Sequence, residues 1–460
     1  MFAIRHALAV AFQLLAVTAA SAQHLRLAPE DPVADRLVAE ALLKAPEIES
    51  ARAEVEAAKR RIEPARTLPD PSASFTYQND GTAISIGAAE GSFAGLMLNQ
   101  PFPWPGKLAL AGRAAASEAR EIEVGTLSRA TLAIEARVRN AWYDLVLARS
   151  LDTLIEERRA TASQVEATTR ERYAAGLAVQ QDVLRAQVEL ARIDELKVAQ
   201  RAAITVRLAE LNGLLGRPLD TPLATPVELP SLAPIPPAAA IVAGVLSRNP
   251  EAAGARQAIE TGGLGIEIAN KNFLPDFVVS GGAMYRGNFA MGPMWQVGVG
   301  VSLPIRAKKR QQNQLAEAQA RVAGQTAQAG VVRRELDLRT HERIVQLESA
   351  SEIATLHQEK MVPLDQLSFE SALASYQAGK VPFITVFDAV NTLYGDRATL
   401  LELLAEAAKW RVAIDEGSLQ PTALGSAASI SSGGGAGTSA QTPASSGSSS
   451  TSTSAMTSMR

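Results

Sequence analysis

The sequence predicts a mainly α-helical chain with a small β part, built twice to one plan: a strand pair followed by a long helical hairpin. Three observations predict it. Tyr173-Ala174-Ala175-Gly176 returns as Tyr376-Gln377-Ala378-Gly379, and Gln100-Pro101-Phe102 returns as Leu303-Pro304-Ile305, at one offset: 376 − 173 = 203 and 304 − 101 = 203. Loops tolerate insertions and packed elements do not, so a conserved spacing means two rods that must match in length. A period this long marks a duplicated domain rather than a short solenoid repeat. Second, two low-charge stretches carry strand-type residues and turn residues. Third, each is followed by a long run of strong helix formers, Ala, Glu, Arg, Gln and Leu.

The elements follow in order. Arg5 and His6, an apolar run over 7–19 and the A-x-A site Ala20-Ser21-Ala22 form a secretory leader over 1–22, with the mature chain beginning at Gln23. The first repeat spans 23–216. Residues 32–63 read as one helix, with Asp31 as N-cap and Pro32 at the first position. Pro64 and Leu68-Pro69-Asp70-Pro71 stop it. Strands fall within about 72–102, with Asn79-Asp80-Gly81 and Glu90-Gly91-Ser92 as turn material. A helical hairpin occupies about 107–216. Its first arm, residues 107–172, has no proline and would make a rod of roughly 100 Å. Its second arm carries an apolar stripe that includes Leu184, Val188, Ile193, Leu196, Val198, Ile204, Leu211 and Leu215, and ends at Gly216.

Residues 217–240 hold seven prolines and read as a linker between repeats. The second repeat spans 241–420. Its strands lie within about 277–305, where Gln296, Gly298, Gly300 and Ser302 alternate with Val297, Val299, Val301 and Leu303, a period of two. Its hairpin covers about 308–416. Residues 421–460 are mostly Ser, Gly, Thr and Ala, too polar to fold, and read as a disordered tail.

Composition excludes several classes. The chain has 460 residues, a net charge of −3 and no cysteine. No bulk positive charge points to nucleic acid, and thiolate metal sites, disulfides and a lipidated Cys are ruled out. Beyond the leader, no apolar run reaches the ~20 residues of a spanning helix. No nucleophile–base set, P-loop or GxGxxG is present, so the chain reads as a non-enzyme without cofactors. Four short amphipathic strands cannot make a membrane barrel alone, since bacterial barrels use at least ~8. Either the strands are shared between chains, four from each of three closing a 12-stranded barrel continued by an α-helical tunnel, or they form a small sheet in a structural periplasmic coiled-coil protein.

The duplicated plan, the YxxG hairpin tips and Leu211-Asn212-Gly213-Leu214-Leu215-Gly216 resemble TolC-type outer-membrane efflux channels, over nearly all of residues 32–420. The run Gln100-Pro101-Phe102-Pro103-Trp104-Pro105-Gly106-Lys107 resembles the heavy-metal (CzcC/CusC-like) branch. The resemblance implies a homotrimer in outer-membrane lipid, spanning into the periplasm, and coupled through a periplasmic adaptor (a membrane fusion protein) to an inner-membrane RND pump. It implies export of heavy-metal cations, with multidrug efflux or type I protein secretion as the alternatives.

The same resemblance places Tyr173, Gly176, Tyr376 and Gly379 at the periplasmic tips that meet the adaptor, beside the plainer reading of a turn with a packed aromatic. Asp388 matches an entrance-constriction aspartate, and Thr385 stands where a second Asp is common. Asp182 matches an Asp that ties the tip closed, though Lys380 and Val381 depart from the usual basic pattern there. A solvated helix Asp is the competing reading. Pro101, Trp104, Pro105 and Pro304 mark the change from barrel to tunnel, where Trp104 either anchors at the interface or packs in a rigid turn. Met284, Met291 and Met294 gather at the second strand turn. Thioethers take soft Cu(I) or Ag(I), against gap-filling packing. His6, His24, His341 and His357 lack ligand spacing, so no metal site is expected.

Overall fold

The computed structural model describes residues 26–80, 82, 84, 92–286 and 292–420. The leader over 1–22, the tail over 421–460, His6, His24, Gly81, Glu90, Gly91 and Met291 lie outside the described residues. Among those described, no helix is long and apolar enough to cross a membrane.

The N-terminal helix expected over 32–63 is three helices: α1 (Pro32–Lys44), α2 (Pro46–Arg60) and α3 (Ile62–Arg66). Asp31 caps α1 by accepting from the Val33 and Ala34 amides. The break comes at Ala45 (φ −65, ψ 121) because the residue before a proline is pushed out of the helical region. Pro64, expected as a stop, sits inside α3, in the first turn, where its missing N–H has no duty. The second repeat has the same break. α7 (Ala238–Arg248) and α8 (Pro250–Lys271) meet at Asn249, whose side chain caps α8. Lys44-Ala45-Pro46-Glu47 thus returns as Arg248-Asn249-Pro250-Glu251, offset 250 − 46 = 204, a third landmark of the duplication that the sequence reading passed over.

β1 (Ser72–Gln78), β2 (Phe93–Phe102), β3 (Asp276–Tyr285) and β4 (Met294–Ser302) form one antiparallel sheet in the order β1-β2-β3-β4. The two strand pairs, far apart in sequence, therefore join through β2 and β3. β4 stops at Ser302, short of Ile305, because Pro304 has no N–H for a ladder. Register sorts the side chains onto two faces. One holds Phe75, Leu96, Leu98, Val279, Val297 and Val299; the other holds Ser74, Gly95, Ser280, Gly282, Gln296 and Gly298. On the two central strands the apolar side chains are the exposed ones, while Gly95 is buried and Met97, Ser280, Gly282 and Met284 are half-buried. The small-residue face is therefore the more sheltered side of the sheet.

The long helices follow. α4 (Lys107–Ile122) runs through a widened π-type turn (Glu123–Leu127) into α5 (Ser128–Ala174), which α6 (Gln180–Leu214) answers antiparallel. In the second repeat the helix starts at Gln311 rather than Lys308. α9 (Gln311–Leu356) passes a π-type turn (His357–Met361) into α10 (Val362–Gln377), and α11 (Phe383–Glu416) returns. Pro363 sits directly after that wide turn, which spares it the clash with the carbonyl four residues back that a tight helix would impose.

The main core joins α1, α5, α6 and the end of α11 around Trp142, Tyr143, Leu145 and Leu211. Trp142 is fully buried, and its indole N–H donates to Asp31 at 2.6 Å, so one aspartate both caps α1 and docks it on α5. The apolar stripe expected on α6 divides. Ile193, Ile204 and Leu211 are buried, whereas Leu184, Val188, Leu196 and Val198 stand exposed on the chain.

The chain leaves the sheet at Gly106, held at φ 89, where an added Cβ would meet only Lys271 Nζ, at an ordinary contact distance of 4.0 Å. An Ala there meets no clash and costs only the left-handed strain, about 1–2 kcal/mol. Gly106→Ala is expected to lower the melting temperature of the purified protein while preserving its far-UV helicity, and an unchanged melting point would contradict the strain.

Candidate functional site

The two hairpin tips are built alike. Each helix ends in a cap whose six-residue bond satisfies a free carbonyl: the Leu177 amide donates to Arg172 O at 2.8 Å and the Lys380 amide to Ser375 O at 2.9 Å. Gly176 (φ 73) and Gly379 (φ 74) supply the left-handed residue each cap requires. The repeated glycines are thus fixed by backbone geometry.

The two tyrosines are not equivalent. Tyr173 is 45% exposed, Tyr376 only 3%. Tyr376 packs edge-on against Phe383 (6.0 Å), which lies beside Phe387. Arg172 covers the Tyr376 ring at 4.9 Å and donates to Gln377 O and, at 3.3 Å, to Leu177 O. Arg172 therefore couples the two tips, a role the sequence reading missed. The signal was a break in the repeat: Arg172 falls opposite Ser375 in the second copy, since 172 + 203 = 375. A little further along, Arg158 joins Glu189 of α6 (2.6 Å) to Asn391 of α11 (2.9 Å), and Thr161 meets Tyr394 Oη at 2.7 Å.

Between the starts of α6 and α11 lies a groove of about 360 Å³, lined by Gln181, Leu184, Arg185, Phe383, Ile384 and Phe387 among others. The expected gate residues stand next to this groove and do not line it. Asp182 is half-buried in the first turn of α6, where the helix dipole favours an acid. Thr385 and Asp388 are exposed near the start of α11. Among the described residues neither carboxylate forms an ion pair within the chain.

At the strand-to-helix connection Pro101 is still inside β2, facing Val278. The β1 ladder begins at Asn99, so β2 has lost its other neighbour there and the missing N–H breaks no bond. The turn itself is made by Trp104, Pro105 and Gly106. Trp104 stacks on Phe277 (5.7 Å), its amide donates to Asp276 at 2.7 Å, and Lys107 Nζ reaches the same carboxylate at 2.8 Å. This favours the packed reading of Trp104. Pro304 lines a cavity of about 840 Å³ with Lys107, Asp276, Arg306, Lys309 and Arg310, so the connections of both repeats meet there.

One further cluster was not foreseen. Beside the π-type turn in the second hairpin, Asp365 of α10 faces Asp396 of α11. Burial pushes the Asp365 carboxyl up to about 6, hydrogen bonding and repulsion from Asp396 add to it, and His357 opposes. His357 is buried with its Nδ1 unpartnered among the described residues.

These features define a class: a strand pair and a long helical hairpin, duplicated, with a sheet that is unfinished in one chain, is the protomer of a channel that pairs a β-barrel with a helical tunnel. The outer membrane efflux protein family profile matches residues 37–217 and 242–416, and the chain belongs to that family, one of channels and not of enzymes. The cobalt-zinc-cadmium resistance protein CzcC of Cupriavidus metallidurans is 26% identical over 353 residues, covering 76% of this chain and 81% of the relative. Among solved structures, the outer membrane protein VceC of Vibrio cholerae superimposes with a TM-score of 0.68 at 21% identity, over 84% of this chain and 96% of that one. CusC, which forms a transmembrane channel, superimposes with a TM-score of 0.66 at 19% identity, over 84% and 91%.

Two outcomes test the site. Arg172→Ala removes a cation–π contact and two hydrogen bonds and should open the tips by about 1–2 kcal/mol. Hydrogen exchange of the tip amides should then quicken by roughly tenfold, with the remote core unchanged. Asp365→Asn tests the carboxyl pair. A raised folded-state pKa means that the native state binds the extra proton, so the parent loses stability as pH rises from about 4 to about 6. The stability advantage of the Asn variant over the parent should grow across that window and level off above it, as read from melts at a series of pH values.

Proposed function

We propose that three copies of this chain join their sheets into one 12-stranded barrel in the outer membrane. The helical hairpins continue it as a tunnel into the periplasm, and the duct serves as the exit component of a tripartite RND-type pump for heavy-metal cations. The observation that carries the assembly is the sheet: its apolar face is bare, with Val297 68% and Val299 71% exposed, and β1 and β4 are open edges. A lipid-embedded edge cannot persist, because no water satisfies its amides, and closure removes it. The exposed apolar residues of α6 supply a surface for the neighbouring chain.

In this reading the tips, with Tyr173, Gly176, Tyr376 and Gly379, meet the periplasmic adaptor, and the half-exposed Tyr173 and the groove beside Phe383 offer an apolar landing surface. Asp182, Thr385 and Asp388 form the entrance gate. Three-fold symmetry would set Asp388 in a ring of carboxylates that favours cations. Pro101, Trp104, Pro105 and Pro304 form the junction between barrel and tunnel. The metal cargo is supported by the similarity to CzcC and by the Pro-Trp-Pro-Gly run at 103–106.

Growth of a deletion strain on Zn, Co, Cd, Ni, Cu and Ag salts, beside dyes, detergents and antibiotics, tests the cargo. Selective metal sensitivity is expected, and sensitivity to drugs alone would discard it. In planar bilayers, Asp388→Asn should lower the preference for cations and raise conductance. Unchanged selectivity and conductance would remove Asp388 from the gate.

A further inference from the structure

The small-residue face of the sheet carries three thioethers close together. The methionines among the described residues are Met97, Met284, Met294 and Met361. The first three share this face. Met284 stands directly opposite Met294 on one side and Gly95 on the other; Met97 stands opposite Gly282, two residues from Met284 along β3.

The two glycines make room for the methionine stems. Met284 Cγ lies 3.1 Å from where a Gly95 Cβ would be, and Met97 Cγ 2.8 Å from the equivalent point on Gly282. Met97 thus lies across β3 and reaches β4, where Gln296 Nε2 donates to its sulfur at 2.9 Å. Gln296 is two residues from Met294 on the same face. Directly opposed side chains have Cβ atoms about 5 Å apart and diagonal ones about 7–8 Å. Unbranched methionine, with three rotatable bonds, spans such gaps.

The usual work of methionine is to fill a core. Here Met294 is 44% exposed. Among the described residues, the face around the three methionines carries Ser280, Gly282, Gln296 and Gly298 and no carboxylate, which suits a soft ion better than a hard divalent one. β3 follows α8 and β4 leads into α9, so the Tyr285 and Met294 ends of these strands are the ends away from the helices.

We propose that Met97, Met284 and Met294 form a thioether site for a soft monovalent cation, Cu(I) or Ag(I), on the inner wall of the barrel near its outer mouth. The inner-wall placement rests on the barrel reading above; the ligand set does not depend on which cargo the pump exports. Thioethers need no deprotonation, so binding is insensitive to pH where a His or carboxylate site would weaken on acidification.

The test is equilibrium dialysis of the purified full-length trimer in detergent against silver nitrate in chloride-free buffer, at pH 5.5 and 7.5, with Zn(II) and Co(II) salts as comparators. About one Ag(I) per chain is expected, equally at both pH values, with no matching uptake of Zn(II) or Co(II). The near-isosteric triple variant M97L/M284L/M294L should keep the trimer and bind Ag(I) at least about tenfold more weakly, whereas M361L should bind as the parent does. Ag(I) uptake by the triple variant equal to the parent's, or none by the parent, overturns the site. A strain whose metal tolerance the chain restores, but whose purified channel takes up no Ag(I), loses the site and keeps the duct. A triple variant that fails to assemble is replaced by M284L alone, for which undiminished Ag(I) affinity has the same overturning force.

Discussion

The structure depends on a four-stranded sheet that is unfinished in one chain. Among the described residues its edges, β1 and β4, have no neighbouring strand, and its apolar face leaves Val297, Val299, Leu96 and Phe75 exposed. In water the bare apolar face is penalised, and in lipid the open edges are. In the proposed assembly, closure with further copies pairs the edges and lipid covers the apolar face. The proposed assembly would also account for the exposed apolar residues of the helices below: with strands of different chains side by side, Leu184, Val188 and Leu196 would face neighbours rather than water.

Duplication supplies the match in length that such a tube requires. The two tips use the same cap geometry, Gly176 and Gly379 at nearly equal φ, and the chain breaks at Ala45-Pro46 and Asn249-Pro250 in step. Backbone symmetry is retained while side chains diverge. Arg172 has no counterpart in the second copy and reaches across to cover Tyr376, leaving Tyr173 exposed. One tip is thereby packed against the other.

The fold class was legible because its signals are local and periodic. Alternation in β4, helix-forming composition and the recurring Tyr-x-x-Gly each report on residues close in sequence. The early helix was misread at Pro46 and Pro64 because a proline's effect depends on where in a turn it falls: Pro46 starts a helix and Pro64 rides in a first turn, a distinction of one or two residues that composition does not carry. Of the candidate site, the glycines and the proline-rich connection were visible as residue types. Arg172, the Asp365–Asp396 pair and the Met97 contact were not.

The sequence by itself determined the duplication, the strand pairs, the long rods and the capping glycines, since each follows from propensity and spacing along the chain. Only the tertiary structure decided that β2 pairs with β3 across at least 175 residues of sequence (277 − 102 = 175). It alone decided that Tyr376 is buried where Tyr173 is not, and that Met97 joins Met284 and Met294 on one face. These pairings are set by strand register and helix packing between distant segments, and register is an energy of contact that no single segment contains.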